Sequence, residues 1–271
     1  MTTKGSNLRI PSDSVFLVGS GIIDRDRSWK PIIAAIQEFK PDARVETDEQ
    51  ANYFLAWWVY AQRMRAVYLM GDKTSAEGRE RNRQLANDDV KLKQIIAASL
   101  RSACDGRDFQ LRPRFVEVQG LAQWGSRLFF TTNWDRLLEI QLGRTASNCV
   151  HIHGDVEAPS CLYLPTETST EHHREAAANK QIGLWTGTAW QIIRDTRQLC
   201  IYGLSLSAHD AELTWILTAG LSEHTARPLP IHLFDLGNKL PEIEWRVRMA
   251  CLPSAKVEII HHPVDDDAPV T

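Results

Sequence analysis

The segment SVFLVGSGI, at residues 14–22, joins an uninterrupted apolar run to a glycine-rich turn. The run is short and ends at Gly19, Ser20 and Gly21, which is typical of a strand that is buried on both faces. A helical pattern follows over residues 28–39, with Pro31 in its first turn. This order of strand, turn and helix predicts the first unit of a parallel sheet that is covered by helices.

The same pattern recurs along the chain. Apolar runs occupy residues 127–131, 148–152, 198–202, 230–234 and 256–260, and helical patterns follow over residues 134–142, 209–221 and 241–249. Buried strands that alternate with helices are typical of an α/β fold. We therefore expect one Rossmann-like, doubly wound domain over residues 1–271, with a mostly parallel sheet.

Two segments depart from this alternation. Residues 46–104 have no strand pattern, and their apolar residues fall on helical faces, so we expect a helical insertion packed on the sheet. The sequence does not decide whether this insertion is a lid, a partner surface or bulk. Residues 262–271 (HPVDDDAPVT) combine charge and proline with few apolar side chains, and we expect a disordered tail there.

Composition limits the class of protein. Of the 271 residues, 43% are hydrophobic and 24% are charged, which is typical of a soluble globular protein. No apolar run approaches the roughly 20 residues that span a bilayer, and the first residues carry no secretory signal. We therefore expect a cytoplasmic protein with no membrane partner. The net charge of -3 argues against nucleic acid as the main partner.

Five cysteines are spread through the chain. No two of them have the Cys-x-x-Cys spacing that brings two thiolates to one zinc ion. Their odd number also does not suit a closed disulfide framework. We expect reduced, mostly buried thiols, no zinc ribbon and no bound metal.

Glycine and polar residues follow the predicted strands, at residues 19–21, 131–135, 153–155, 203–210 and 235. Ligands of doubly wound sheets bind outside the carboxyl ends of the strands, so these residues form the candidate site. The backbone of the first glycine turn can approach a pyrophosphate. Asp235 can accept a hydrogen bond from a ribose hydroxyl, or it can cap a helix.

Four segments carry a resemblance to a known family. FFTTNWD at residues 129–135 and VHIHGD at residues 150–155 resemble the Thr-Thr-Asn-aromatic-Asp and His-Gly motifs of the sirtuin superfamily. IYGLSLSAHDAEL at residues 201–213 is similar to its Gly-x-Ser segment, and FLVGSGI at residues 16–22 occupies the place of its glycine-rich opening. The four occur in the family's order and together cover nearly the whole chain. Within the superfamily, the chain resembles the sirtuin-like NAD hydrolase domains of bacterial anti-phage defence proteins.

The resemblance implies a function and a set of site residues. The function is cleavage of NAD to nicotinamide and ADP-ribose, in an NAD-depleting defence effector. The implied catalytic residues are Asn133 and His153. The implied cofactor-binding residues are Gly19, Ser20 and Gly21 for the phosphates, Asp135 for nicotinamide, and Gly203 and Ser205 for the adenosine side. Thr132 and Asp235, at strand ends, complete the predicted set.

The residue types suit this reaction. Breaking the nicotinamide–ribose bond passes through an oxocarbenium-like sugar and releases neutral nicotinamide. Asn133 can orient the ribose and an attacking water, and His153 can accept a proton near neutral pH. Gly154 would leave room for the sugar beside His153.

The sequence leaves other functions open. The same pocket could bind NAD or ADP-ribose without turnover, as a sensor or assembly subunit. A protein deacylase is a further alternative, but the zinc ribbon of that class is absent. A regulatory protein partner or a homo-oligomer is expected to control the site. The segment with Asp24, Arg25 and Arg27 departs from the family pattern, which leaves the role of these residues undecided.

Two other chemistries also fit parts of the chain. His151 and His153 are predicted to lie on the same face of a strand, and with Asp155 they could hold a metal ion. A further ligand would have to come from the pair at residues 172–173. Residues 203–207 approach a hydrolase nucleophile elbow, but Ser207 stands where that turn requires glycine.

Overall fold

The computed structural model describes residues 14–23, 28–70, 75–106, 109–120, 128–143, 145, 148–167, 176–207 and 210–264. One sheet contains six strands: β1 (Val15–Val18), β2 (Phe129–Thr131), β3 (Cys149–His151), β4 (Leu199–Tyr202), β5 (Leu229–Asp235) and β6 (Val257–Pro263). Their order is β3-β2-β1-β4-β5-β6, and all neighbouring strands are parallel. This order reverses between β1 and β4, as in doubly wound sheets. The prediction of a Rossmann-like α/β fold is confirmed.

Helices cover both faces of the sheet. They are α1 (Lys30–Phe39), α2 (Asp48–Met70), α3 (Ala76–Asp105), α4 (Pro113–Gly120), α5 (Leu137–Leu142), α6 (Ala176–Asp195), α7 (Ala211–Leu221) and α8 (Leu240–Ala250). Short 3-10 turns occupy Ser20–Ile22, Pro41–Ala43 and Pro159–Cys161. None of the described helices combines the length and apolar character needed to cross a bilayer.

The apolar run of β1 is uninterrupted because each face of the sheet has its own core. Val15 and Leu17 pack into the core beneath α6, α7 and α8, whereas Phe16 and Val18 pack into the core beneath α1 to α5. All four side chains are at most 5% exposed. Burial of both faces is the condition under which a strand loses the alternation of polar and apolar residues.

The segment at residues 46–104 contains helices, as the sequence predicts. α2 and α3 pack on α1, and Leu55, Leu92 and Ile96 belong to the core on that face of the sheet. No strand occurs among the described residues of this segment. The pair of helices is therefore part of the layer that covers the sheet.

The structure corrects two features of the sequence analysis. β6 continues to Pro263, and the following Val264 is buried, so residues 262–264 belong to the fold rather than to a tail. His262 pairs with His232 of β5, with 2.8 Å between their ring nitrogens, and stacks on Phe234. Residues 265–271 lie outside the described part of the chain. The second correction is α6, because the sequence analysis predicted no helix at these residues.

The cysteines are as expected. All five are free, four are buried, and Cys251 is half-buried. Burial raises the pKa of Cys104 to about 12, so this thiol stays protonated. The expectation of mostly buried thiols is confirmed.

Candidate functional site

Two adjoining cavities lie at the carboxyl ends of the central strands. The first has a volume of about 140 Å³. Seven residues of the predicted set line it: Ser20, Thr132, Asn133, Asp135, His153, Gly203 and Ser205. The second has a volume of about 230 Å³ and is lined by Ser20, Gly21, Gly203, Ser205 and Asp235, among others. Of the residues that line both cavities, Ser20, Gly203 and Ser205 stand where the strand order reverses.

The glycine turn after β1 is bonded to the turn after β4. Gly19 N donates to Tyr202 O at 3.0 Å, and Gly21 N donates to Gly203 O at 2.9 Å. Gly203 has a φ of 60°, and a Cβ on it would lie 2.5 Å from Gly21 Cα. These glycines therefore serve close backbone packing. The Gly19 and Gly21 amides already have partners, and the exposed Ser20 is the residue of this turn that lines both cavities.

Asn133 follows β2 and is fixed through its backbone. Its N–H donates to Thr131 Oγ1 at 3.0 Å, and its carbonyl accepts from His151 Nδ1 at 2.8 Å. The side chain lines the first cavity but is only 8% exposed. Its Nδ2 is buried and has no hydrogen-bond partner among the described residues. A buried amide without a partner is costly, so this geometry favours a ligand that accepts from it.

His151, the last residue of β3, contacts the backbone of Asn133. Both neighbours of its ring are acceptors, the Asn133 carbonyl at Nδ1 and Glu139 Oε1 at Nε2, each at 2.8 Å. Burial alone would lower the pKa of His151, but its contacts with Cys149 and Glu139 outweigh burial and raise the pKa well above its ordinary value. We infer an imidazolium that donates from both nitrogens and holds Asn133 in place.

One group of side chains could also hold a metal ion. The possible ligand atoms of Glu139, Cys149 and His151 lie within 4.8 Å of one another in the described part of the chain. This is not the group that the sequence suggested. His151 turns toward α5, whereas His153 contacts Tyr163 and approaches Glu212 of α7. The two histidines diverge because β3 ends at His151, so the alternation of a strand does not apply to His153.

His153 lies in a turn that leads to the next loop. Its ring stacks on Tyr163 with 5.2 Å between ring centroids, and its Nε2 lies 3.9 Å from Glu212 Oε2. Gly154 follows with a φ of 76°, and a Cβ there would collide with the Cys161 carbonyl. Glycine is thus required at this position by the backbone itself, before any need for space around a sugar.

Helix α3 fixes a second wall of the first cavity. Lys93 is 2% exposed and lies 2.8 Å from Glu167 Oε1. Glu167 Oε2 accepts from the Leu164 backbone N–H. Tyr163, Leu164 and Pro165 line the cavity, as do Asn52 of α2 and Leu100 of α3. The helices at residues 46–104 therefore contribute to the site directly.

Asp235 and Ser205 are held by local contacts in the second cavity. Asp235 Oδ1 accepts from Leu236 N at 2.7 Å, and Ser205 Oγ donates to Asp210 Oδ2 at 3.3 Å. Arg246 of α8 donates to the Ser205 carbonyl and to Glu242. A ligand in this cavity would meet hydroxyl, carboxylate and guanidinium groups together.

The structure thus brings nearly all predicted site residues to one edge of the sheet. Gly19 is not among the lining residues of either cavity, because it packs against Leu204. Asp24, Arg25 and Arg27 lie outside the described residues, as does the histidine pair at 172–173. The sequence analysis missed Tyr163, Glu167, Lys93, Thr186 and Glu212. The one available signal was Glu212, an acidic residue within the apolar helix AELTWILTAGL.

Comparison with known proteins gives no relative: no family model, no curated protein and no solved structure matches the chain.

Asp135 provides a stability test of the site. Its Oδ1 accepts from Leu137 N at 3.0 Å, and burial raises its pKa to about 6. Because this pKa lies above the unfolded value near 3.8, the protonated form is favoured in the fold, and stability is lost as pH rises through 6. We expect Asp135→Asn, which keeps the acceptor oxygen, to stabilise the protein by about 1–3 kcal/mol at pH 8 and by little at pH 4.

Urea unfolding at the two pH values measures this difference. Asp42→Asn, at an exposed carboxylate that is paired with Lys40, is the control, and we expect no gain from it at pH 8. A stabilisation by Asp135→Asn that is equal at both pH values would contradict the assignment of a buried carboxylate that titrates near pH 6.

Proposed function

We propose that the chain hydrolyses the nicotinamide–ribose bond of NAD at the first cavity, as a sirtuin-like NAD hydrolase. One observation carries the proposal: the buried Asn133 amide and the His153 imidazole line the same cavity, beside the reversal of strand order. Ligands of doubly wound sheets bind at this reversal. The four sequence segments that resemble the family supply the residues at this edge.

The reaction would proceed by addition of water at C1′ of the ribose. Nicotinamide leaves as a neutral molecule with the electrons of the bond, and the sugar develops positive charge. Asn133 orients the water or a ribose hydroxyl through its side-chain amide. His153 takes the proton of the attacking water, which leaves ADP-ribose and, after release of that proton, the starting enzyme. This route requires no metal.

The remainder of the dinucleotide would extend into the second cavity. Ser20 and the N-terminus of α1, which begins at Lys30 next to the lining residues Ser28 and Trp29, would face the phosphates. Asp235 would accept from a ribose hydroxyl, and Gly203 and Ser205 would lie on the adenosine side. Asp135, close to Asn133 in the first cavity, would face the nicotinamide carboxamide.

The resemblance also suggests a cellular role. We propose a cytoplasmic defence effector that depletes NAD when it is activated by a protein partner or by self-association. The resemblance is the support for this role, and it predicts that the isolated chain is restrained until such activation occurs.

Nicotinamide release from NAD tests the proposal, together with calorimetric binding of NAD and ADP-ribose. We expect Asn133→Ala and His153→Ala to lower release at least 100-fold, because each removes a group that acts on the reacting sugar. His261→Ala, at a histidine on β6 that pairs with Glu244, is the matched control and should keep wild-type release.

Each result has a definite meaning. Equal release by wild type and both site variants would exclude this site as the catalytic centre. Tight binding of NAD with no release in any assembly state would favour the sensor or assembly function instead. Release that depends on an acylated peptide would indicate a deacylase. If the protein neither binds NAD nor releases nicotinamide from it, the proposal is refuted.

A further inference from the structure

A buried carboxylate of α7 faces His153. Glu212 lies in the first turn of α7 and is 7% exposed. Its Oε1 accepts from Thr186 Oγ1 of α6 at 2.9 Å, and its Oε2 lies 3.9 Å from His153 Nε2. Two helices and the turn after β3 therefore meet at one acidic side chain.

Burial of this carboxylate is unfavourable unless its charge is compensated. The Thr186 hydroxyl satisfies one oxygen, and the partial positive charge at the N-terminus of α7 stabilises the anion. The other oxygen points toward an imidazole that can carry a positive charge. An imidazolium at His153 and this carboxylate would attract each other in a region of low dielectric constant.

The described acidic residues that line the same cavity as His153 are engaged elsewhere. Asp210 lines the same cavity, and its Oδ2 accepts from Ser205 Oγ, Ser207 Oγ and the Ser207 N–H. Asp135 lines the same cavity and accepts from Leu137 N. Tyr163 stacks on the ring.

On the preceding strand, His151 donates to Glu139 on the other face of the sheet. Of these described carboxylates, Glu212 is the one that faces the His153 ring across a short distance.

We propose that Glu212 is a positioning residue for His153, which orients the imidazole and stabilises the imidazolium formed when His153 accepts a proton. This proposal rests on the proposed function for its catalytic meaning. Glu212 does not line the cavity, so it acts through His153 and not on the substrate. A separation of 3.9 Å in the absence of ligand is compatible with a bond that shortens when substrate binds.

The test compares Glu212→Gln with wild type in two measurements. Glutamine keeps the acceptor for Thr186 and the side-chain shape, so the fold is retained. In NMR titrations of histidine-labelled protein, with the His153 signal assigned by its loss in His153→Gln, we expect the pKa of His153 to fall by about 1 unit in Glu212→Gln. Glu223→Gln, an exposed carboxylate just beyond α7, should leave it unchanged.

Kinetics give the second readout. Because His153 must be neutral to accept a proton, the acid limb of the pH profile for nicotinamide release should move to lower pH by the same 1 unit in Glu212→Gln. We also expect kcat to fall about 10-fold with KM unchanged, since the group acts on the transition state. Thr186→Val, which removes the bond to Oε1, should shift the profile in the same direction and by less.

The outcomes separate the two proposals. A shifted His153 titration without any NAD turnover would support the pairing and refute the hydrolase. Turnover whose pH profile and His153 titration are both unchanged in Glu212→Gln would refute the positioning role and leave the hydrolase intact. A lower rate with no shift of either curve would mean that Glu212 is only structural, which also overturns this proposal.

Discussion

Gly203→Ala is expected to lower the free energy of unfolding by about 3 kcal/mol or more. The left-handed backbone at φ 60° accounts for roughly 1–2 kcal/mol of this loss. The remainder comes from the new Cβ, which would lie 2.5 Å from Gly21 Cα and 2.6 Å from Gly21 C, so the β1 and β4 turns must separate. Urea unfolding measures the loss, and calorimetry should find that dinucleotide binding is lost with it.

Gly143→Ala is a matched control for this variant. Gly143 has the same φ of 60°, but a Cβ there would meet no described heavy atom within 4 Å. Gly143→Ala should lower the free energy of unfolding only by the backbone strain, about 1–2 kcal/mol. If the two alanine variants were equally unstable, close packing of the two turns would not be the reason for glycine at position 203.

Lys93→Met should be the second strongly destabilising change, with a loss of about 3–5 kcal/mol. Methionine matches the lysine stem but removes the charge that compensates Glu167, 2.8 Å away, in a region where both side chains are buried. Asp89, at 3.4 Å, loses the same partner. Lys91→Met, at an exposed lysine on the same helix, should change stability by about 0.5 kcal/mol or less.

A double variant isolates the reason for this loss. Lys93→Met combined with Glu167→Leu removes both charges, and we expect it to recover much of the stability, because no unpaired buried charge remains. Recovery would be measured by the same urea unfolding. If Lys93→Met were no more destabilising than Lys91→Met, the Lys93–Glu167 pair would contribute nothing to the stability of the fold or of the cavity wall that contains Tyr163.

The fold was largely predictable because the sequence patterns that indicate its strands are local. The strands β1, β2, β4 and β5 are short apolar runs that end in glycine or polar residues, and these patterns depend only on neighbouring residues. β6 was cut short in the prediction because His261 and His262 look polar, although His262 is sheltered by His232 and Phe234. α6 escaped notice because Gly183 and Gly187 interrupt its helical pattern.

The candidate site was predictable at its strand ends and not beyond them. Asn133 and His153 stand in motifs directly after β2 and β3, and the topology of a parallel sheet brings such residues together. Glu212 and Thr186 come from helices whose side-chain contacts depend on how α6 and α7 pack. The Lys93–Glu167 pair joins residues 74 positions apart. No pattern in the sequence encodes such distant pairings.

The central position of β1 has a consequence for folding during synthesis on the ribosome. Phe16 lies beside Phe129, so the first strand emerges more than a hundred residues before either of its neighbours exists. At a translation rate of roughly 5–20 residues per second, this apolar segment remains without a pairing strand for several seconds. The nascent polypeptide is therefore expected to need shielding by chaperones until the latter half has been translated.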